Sequence, residues 1–171
     1  MNRSTDQQRP LINAPPRPVL SRDADSMYWM SRYVERAEHV ARLLLIHSNL
    51  LVDVGDLDEK LEEQIWHSIL SITFVEAPPE SRGTLGQRIM RHMTFFPGNS
   101  NSIFNCITRA RENARGIREA ISAEMWEHLN TLYWSFCADD VLSRYEESPD
   151  AFFRNVMNSS MLFQGLAHHT L

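Results

Sequence analysis

The chain has 171 residues, a length that fits one domain with a core of its own. Hydrophobic residues make up 43% of it and charged residues 23%, a balance that excludes collagen-like, low-complexity and fully disordered classes. The formal net charge of -5 argues against nucleic-acid binding, because phosphate backbones are recognised by basic surfaces.

The first 19 residues combine several prolines with polar side chains and show no apolar periodicity. Proline removes amide donors and fixes φ, so we expect residues 1–19 to form a disordered arm and residues 20–171 to form the folded domain. The prolines concerned are Pro10, Pro15, Pro16 and Pro18.

A long first helix is predicted from Ser21 to about Val52, because apolar residues recur at alternating spacings of three and four. Such a pattern is typical of a helix that contributes one seam to a bundle. The seam consists of Met27, Met30, Val34, Ala37, Ala41, Leu44 and Leu51.

Five further helices are predicted along the rest of the chain. They span about Leu57–Phe74, Thr84–Phe95, Ile103–Ile121, Ala123–Tyr145 and, after Pro149, Asp150–Ala167. No strand or hairpin pattern occurs between them. The sequence therefore predicts an all-α, up-and-down bundle of about five to six helices with short connections.

Because we recognise no targeting segment in the sequence and the cysteines match no metal site, we expect a cytoplasmic protein. No apolar signal-peptide region follows Met1, and the longest aliphatic run, Leu43–Ile46, is far shorter than the roughly 20 residues of a membrane span. Cys106 and Cys137 match no metal-ligand spacing, so we expect both to be reduced core residues.

Polar residues cover one side of the first helix, opposite the apolar seam. They lie within about 60° of Glu35 and include two favourably ordered i,i+4 pairs, Glu35 with His39 and Glu38 with Arg42. Two interpretations remain open: a solvated ladder of ion pairs, or a buried polar stripe with one fixed geometry. The set is Ser31, Arg32, Glu35, Glu38, His39 and Arg42.

The fourth predicted helix carries Arg111, Arg115 and Arg118 along one edge of its apolar stripe. Guanidinium groups in a row can hold a carboxylate or a phosphate. They can equally be rim residues whose stems cover the core while their heads meet Glu112, Glu119 or solvent.

The pattern E-x-x-E-H occurs twice, at Glu35–His39 and at Glu124–His128. Di-metal helical bundles use a Glu with a His three residues later, and that spacing is absent from both copies. We therefore predict neither a metal nor a cofactor.

Several motifs resemble the bacterial alpha-E family, which is named for its helices and a Glu-Arg motif. The resemblance starts at Leu20–Arg22, Tyr28–Glu38 and Ala41–Leu44. It continues, in order, at Ser102-Ile103, Cys106, Ala110–Arg115, Ser122–Glu127, Leu129-Asn130, Phe152–Arg154 and Leu162–Gly165.

The resemblance implies an all-helical cytosolic protein that is often encoded or fused beside a circularly permuted ATP-grasp ligase and a transglutaminase-like protein. These neighbours suggest amide or peptide bond formation, with the helical chain as a non-catalytic partner subunit that binds the ligase or its peptide product. The expected binding residues are Arg32, Glu35, Arg36, Arg111, Glu112, Asn113, Arg115 and Glu124.

Full-length members of the family continue into a second half with another Glu-Arg helix. We therefore expect this chain to pair with itself or with a separately encoded second half through an uncovered apolar face. The expected interface residues are Phe152, Phe153, Val156, Leu162, Phe163 and Leu166.

An alternative function is a helical enzyme with a metal site made of carboxylates and histidines. Its ligands would come from the two E-x-x-E-H copies, namely Glu35, Glu38, His39, Glu124, Glu127 and His128.

Overall fold

A computed structural model of the chain describes residues 21–53, 59–80 and 82–170, without the side chains of residues 51–53, 59, 169 and 170. These ranges contain seven helices and no strand, which confirms the all-α fold. The predicted arm over residues 1–19 lies outside them. The helices are α1 (Ser21–Asp53), α2 (Glu59–Thr73), α3 (Leu85–Phe95), α4 (Ile103–Gly116), α5 (Ala123–Cys137), α6 (Val141–Glu147) and α7 (Pro149–Thr170).

The predicted fifth helix is in fact two, because the chain leaves the helical conformation at Ala138. The Arg144 guanidinium donates to the carbonyl oxygen of Ser135 at 2.6 Å and pairs with Asp140 at 3.1 Å. Carbonyl groups in the last turn of a helix have no partner within that helix, so this side chain stabilises the break. The helix count therefore exceeds the expected five to six.

The long helix α1 forms the centre of the bundle. It packs along α4 and α7, and α4 in turn contacts α5. The predicted seam is confirmed where its side chains are described: Met27 is half-buried, and the others are buried. Those buried seam residues are Met30, Val34, Ala37, Ala41 and Leu44.

The core consists of two apolar clusters along α1. One surrounds Leu44 and Ile69 and includes buried residues of all seven helices. The other surrounds Val34, Ala110 and Phe163 where α1 meets α4, α5 and α7. Together, the two clusters hold in place the helices that carry the polar residues described below.

A close approach of α2 and α3 depends on Gly86. A Cβ atom at this position would lie 2.5 Å from the buried indole ring of Trp66, so any larger residue would push the two helices apart. This contact places the start of α3, and with it the cavity described below.

The six expected interface residues divide into two groups. Phe153, Val156 and Phe163 are buried within this chain, where they belong to the two core clusters. Phe152 and Leu166 are half-buried against the same clusters. Leu162 is 56% exposed. Of the six, Leu162 alone therefore presents a mostly uncovered side chain.

None of the helices in the described part of the chain has an apolar stretch long enough to cross a membrane. Those helices are held together instead by the two core clusters and by a few polar contacts between elements.

Candidate functional site

Glu38 forms a buried polar contact between α1 and α7. It is only 8% exposed, and its carboxylate accepts hydrogen bonds from the Ser160 hydroxyl at 2.7 Å and from the Gln164 amide at 3.3 Å. The Arg42 guanidinium binds the other carboxylate oxygen at 2.5 Å. A buried charge is tolerated only when it is paired in this way, so the contact fixes how α7 lies on α1.

The environment of Glu38 also sets its titration. Burial raises the pKa of this carboxyl group, but the hydrogen bonds from Ser160 and Arg42 and the positive charges of Arg42 and His39 outweigh that effect. The pKa therefore lies below its ordinary value, and Glu38 is ionised at neutral pH.

Glu35, less than one turn away from Glu38, has a different environment. It pairs at 2.5 Å with Arg32 on its own helix, and both side chains are well exposed. Glu35 also lines a small notch of about 240 Å³ between α1 and α7. The polar side of α1 is thus mixed: Arg32, His39 and Arg42 are exposed, whereas Glu38 is buried.

Arg36 points toward a different neighbour. Its guanidinium donates to the Asn101 side chain at 3.2 Å, and Asn101 donates to the carbonyl oxygen of Thr73 at 3.5 Å. Arg36 also lies 5.9 Å from the centre of the Tyr33 ring. This series of contacts joins α1, the loop before α4 and the end of α2. Glu35 and Arg36 therefore serve two different contacts.

Arg111 is enclosed by an aromatic cluster on α5. Its guanidinium lies 4.6 Å from the centre of the Tyr133 ring and within 6 Å of the Trp126 and Trp134 rings. It also donates to the Asn130 side chain at 2.7 Å and pairs with Glu112 at 3.2 Å. The guanidinium of Arg111 is therefore already paired within the chain. Its contacts with Asn130 and the aromatic rings join α4 to α5.

The other expected binding residues of α4 and α5 lie nearer to solvent. Arg115 is exposed and pairs with Glu112 at 2.8 Å. Asn113 donates to the carbonyl oxygen of Arg109 on its own helix at 2.8 Å. Glu124 is exposed in the first turn of α5. The structure therefore brings Arg111, Glu112 and Arg115 together, but it places Glu35, with Arg32 paired to it, beside α7.

Aromatic and arginine side chains lie at the surface of α1, α4 and α5, on a region that we call the outer face. The rings of Tyr28, Trp29 and Tyr33 contact one another on α1, and Arg109 donates to the Tyr33 hydroxyl at 3.4 Å. On the other side, Arg118 lies 5.3 Å from the centre of the Trp126 ring. The outer face comprises Tyr28, Trp29, Tyr33, Arg109, Arg111, Glu112, Arg115, Arg118, Trp126 and Trp134.

The two E-x-x-E-H copies do not form a metal site in the described residues. No group of three or more His, Cys, Asp or Glu side chains suitable for a metal ion occurs there. The His128 Nε2 atom donates to the carbonyl oxygen of Ser159 at 2.8 Å, so this side chain joins α5 to α7. His39 is exposed on α1.

The two cysteines have different environments, and the prediction for one of them was wrong. Cys106 is buried, as expected, and burial raises its pKa to about 11, so its thiol is protonated and unreactive at neutral pH. Cys137 is exposed rather than part of the core, because it is the last residue of α5.

Sequence reasoning did not find the partners of Glu38 and Arg111. Ser160, Gln164 and Asn130 lie on other helices, 19 to 126 residues away along the chain. Small polar residues within apolar helical stretches were the available signal, since a buried Ser or Asn must find a hydrogen-bond partner.

The fold and these contacts define a helical-bundle domain with an aromatic and arginine-rich outer face. A family model described as "Alpha-E: A predicted alpha-helical domain with a conserved ER motif" matches residues 19–171. The chain therefore belongs to the alpha-E family, and Glu35-Arg36 is the only Glu-Arg pair in its sequence. No curated protein and no solved structure matches the chain.

Proposed function

We propose that this chain is a non-catalytic subunit that binds an ATP-grasp-type amide or peptide ligase, or the peptide product of that ligase, through the outer face. The exposure of large aromatic side chains supports this most directly: Trp134 is 60% exposed and Tyr28 is 57% exposed. Trp, Tyr and Arg are the residues that contribute most binding energy at protein interfaces.

The charge of the outer face favours an acidic partner. Arg109, Arg115 and Arg118 are exposed, and Glu112 is the acidic member of this surface. Because the chain as a whole carries a net charge of -5, this basic region differs from the average surface. Complementary charge would steer an acidic surface or an acidic peptide toward it.

The polar residues of α1 take a supporting role in this proposal. Arg36 and Glu38 hold α1 against the loop before α4 and against α7, so that the aromatic residues of α1 keep their position beside α4. The exposed pair of Arg32 and Glu35 is the proposed contact for a second partner, the transglutaminase-like protein. The proposal places this assembly in the cytoplasm.

A second alpha-E unit, either this chain itself or a separately encoded half, is the remaining partner in the proposal. Met161 and Leu162, both about half-exposed on α7, offer a small apolar surface for it. This contact lies on another helix than the outer face, so the two partners need not compete.

The test measures binding of the purified chain to the separately purified ATP-grasp ligase encoded beside it, by titration calorimetry at several salt concentrations. We expect Trp134→Ala to weaken binding about tenfold or more, because it removes an interface aromatic group. Arg115→Ala combined with Arg118→Ala should weaken it several-fold and reduce its dependence on salt.

Arg154→Ala is the matched control, because Arg154 is an exposed arginine on α7, away from the outer face. The Arg154→Ala protein should bind the ligase with the same affinity as the unchanged chain. If the outer-face variants bind the ligase as tightly as this control, or if the unchanged chain does not bind, the proposal is wrong. No contact in the described residues favours the alternative metal enzyme.

A further inference from the structure

A cavity of about 800 Å³ lies between α3 and α6 and shares no residue with the outer face. Its wall is mostly apolar and includes Phe95, Phe96, Tyr145 and four prolines. Cavities of this size and composition hold small organic molecules in other proteins. The prolines are Pro78, Pro79, Pro97 and Pro149.

Three arginines add positive charge to this apolar wall. Arg91 is neutralised by Glu146, at 3.1 Å, which is the acidic residue of the wall. Arg82 is exposed, whereas Arg88 is half-buried and its Nε atom is enclosed without a hydrogen-bond partner. No described carboxylate pairs with Arg88. A buried donor without a partner is costly, so Arg88 is suited to receive an acceptor from a ligand.

We propose that this cavity binds a small organic carboxylate with an apolar body, and that the carboxylate pairs with Arg88. The planar guanidinium can hold both oxygens of a carboxylate, while Phe95, Phe96 and Tyr145 cover the apolar part. Arg88 is the half-buried arginine of the wall that has no carboxylate partner in the described residues, so it is the one suited to pair with the carboxylate of the occupant.

Two other features of the chain bear on which occupant fits the cavity. His92, stacked on Phe96 at 4.5 Å, adds no second charge at neutral pH, because burial lowers its pKa. The proline-rich arm is a poor occupant, since residues 1–19 carry three arginines and a single aspartate and would be repelled by Arg82 and Arg88.

The test uses N-acetyl-L-phenylalanine as the probe and follows backbone amide shifts of the full chain by NMR. We expect saturable shifts at Gly86, Arg88, His92 and Tyr145. N-acetyl-L-phenylalaninamide, which has the same apolar body without the charge, should bind at least about tenfold more weakly. This comparison needs no altered protein, so it is independent of any folding defect.

Two variants locate the carboxylate. Arg88→Gln should lower the affinity for the probe about tenfold or more, whereas Arg154→Gln, an exposed arginine outside the cavity, should leave it unchanged. Octanoate is titrated in parallel: tighter binding of octanoate would indicate a fatty acid as the source of the carboxylate, and tighter binding of the probe would indicate a peptide end.

Four results would overturn the proposal. Three are the absence of saturable shifts with either carboxylate, equal binding of the amide and the acid, and equal binding by the Arg88→Gln and Arg154→Gln proteins. Binding of a peptide of residues 1–19 in place of the carboxylates would also overturn it. None of these results bears on the ligase, because the cavity and the outer face share no residue.

Discussion

The contact between α1 and α7 and the outer face both use charged side chains, but they place them in different surroundings. In the first, Glu38 is buried and receives hydrogen bonds from Ser160 and Gln164 on another helix. In the second, most charges are exposed, and Arg115 pairs only with Glu112 on its own helix.

This difference predicts that the α1–α7 contact contributes mainly to stability and that the outer face contributes mainly to binding. Removing the acceptor of a buried hydrogen bond leaves its donor with neither a partner nor water, so the free energy of unfolding falls. Exposed ion pairs contribute about 0–1 kcal/mol, because water replaces them readily. The α1–α7 contact should therefore govern folding, whereas the outer face can change with little effect on the fold.

The largest expected effect is on Glu38. Glu38→Ala leaves the Ser160 hydroxyl buried without its acceptor, and we expect the free energy of unfolding to fall by about 2–3 kcal/mol. Urea denaturation followed by circular dichroism measures this change. Glu35→Ala is the control, with an expected loss of about 0.5 kcal/mol or less. Equal losses for the two variants would contradict the assignment of Glu38 as the buried contact.

A smaller effect is expected at Arg111, which belongs to the outer face but is largely enclosed. Arg111→Ala removes the hydrogen bond to Asn130 and the contact with the Tyr133 ring, and should cost about 1 kcal/mol. Arg115→Ala should cost about 0.5 kcal/mol or less in the same urea experiment. If Arg115→Ala lowers the free energy of unfolding more than Arg111→Ala does, Arg111 is not the structural arginine of α4 and the assignment is wrong.

The smallest expected effect is the pH dependence of the Glu38 contact. Because the pKa of Glu38 in the folded chain lies below its ordinary value of 4.5, its stabilisation is complete above that pH. It is lost as the pH falls through the lower folded-state pKa. The stability advantage of the unchanged chain over Glu38→Gln should therefore narrow as the pH falls below the ordinary value of 4.5. A constant difference across this range would show that Glu38 does not titrate as described.

Local sequence patterns predicted most of the fold. The apolar period identified the buried side of α1, and Pro149 marked the start of α7, because both depend on neighbouring residues only. The break at Ala138 was missed, since the Ala-Asp-Asp sequence there contains neither Pro nor Gly. A contact with Arg144, outside local propensity, stabilises that break.

The candidate site was harder to predict than the fold. Glu35 and Glu38 lie within about 60° of each other on α1, so helical geometry cannot tell which one is buried. That choice depends on where Ser160 of α7 packs, 122 residues further along the chain. The burial of Phe153 and Phe163 depends on the same packing, and they could not be separated from exposed Leu162 beforehand.

The most direct test of the proposed function is native mass spectrometry of the tagged chain isolated gently from its own cells. Our account predicts a complex whose added mass equals that of the ATP-grasp ligase and which is retained by Arg154→Ala. The complex should be lost when Trp134→Ala and Arg115→Ala are combined. The chain alone, or a ligase complex that survives the combined outer-face substitutions, would contradict the account.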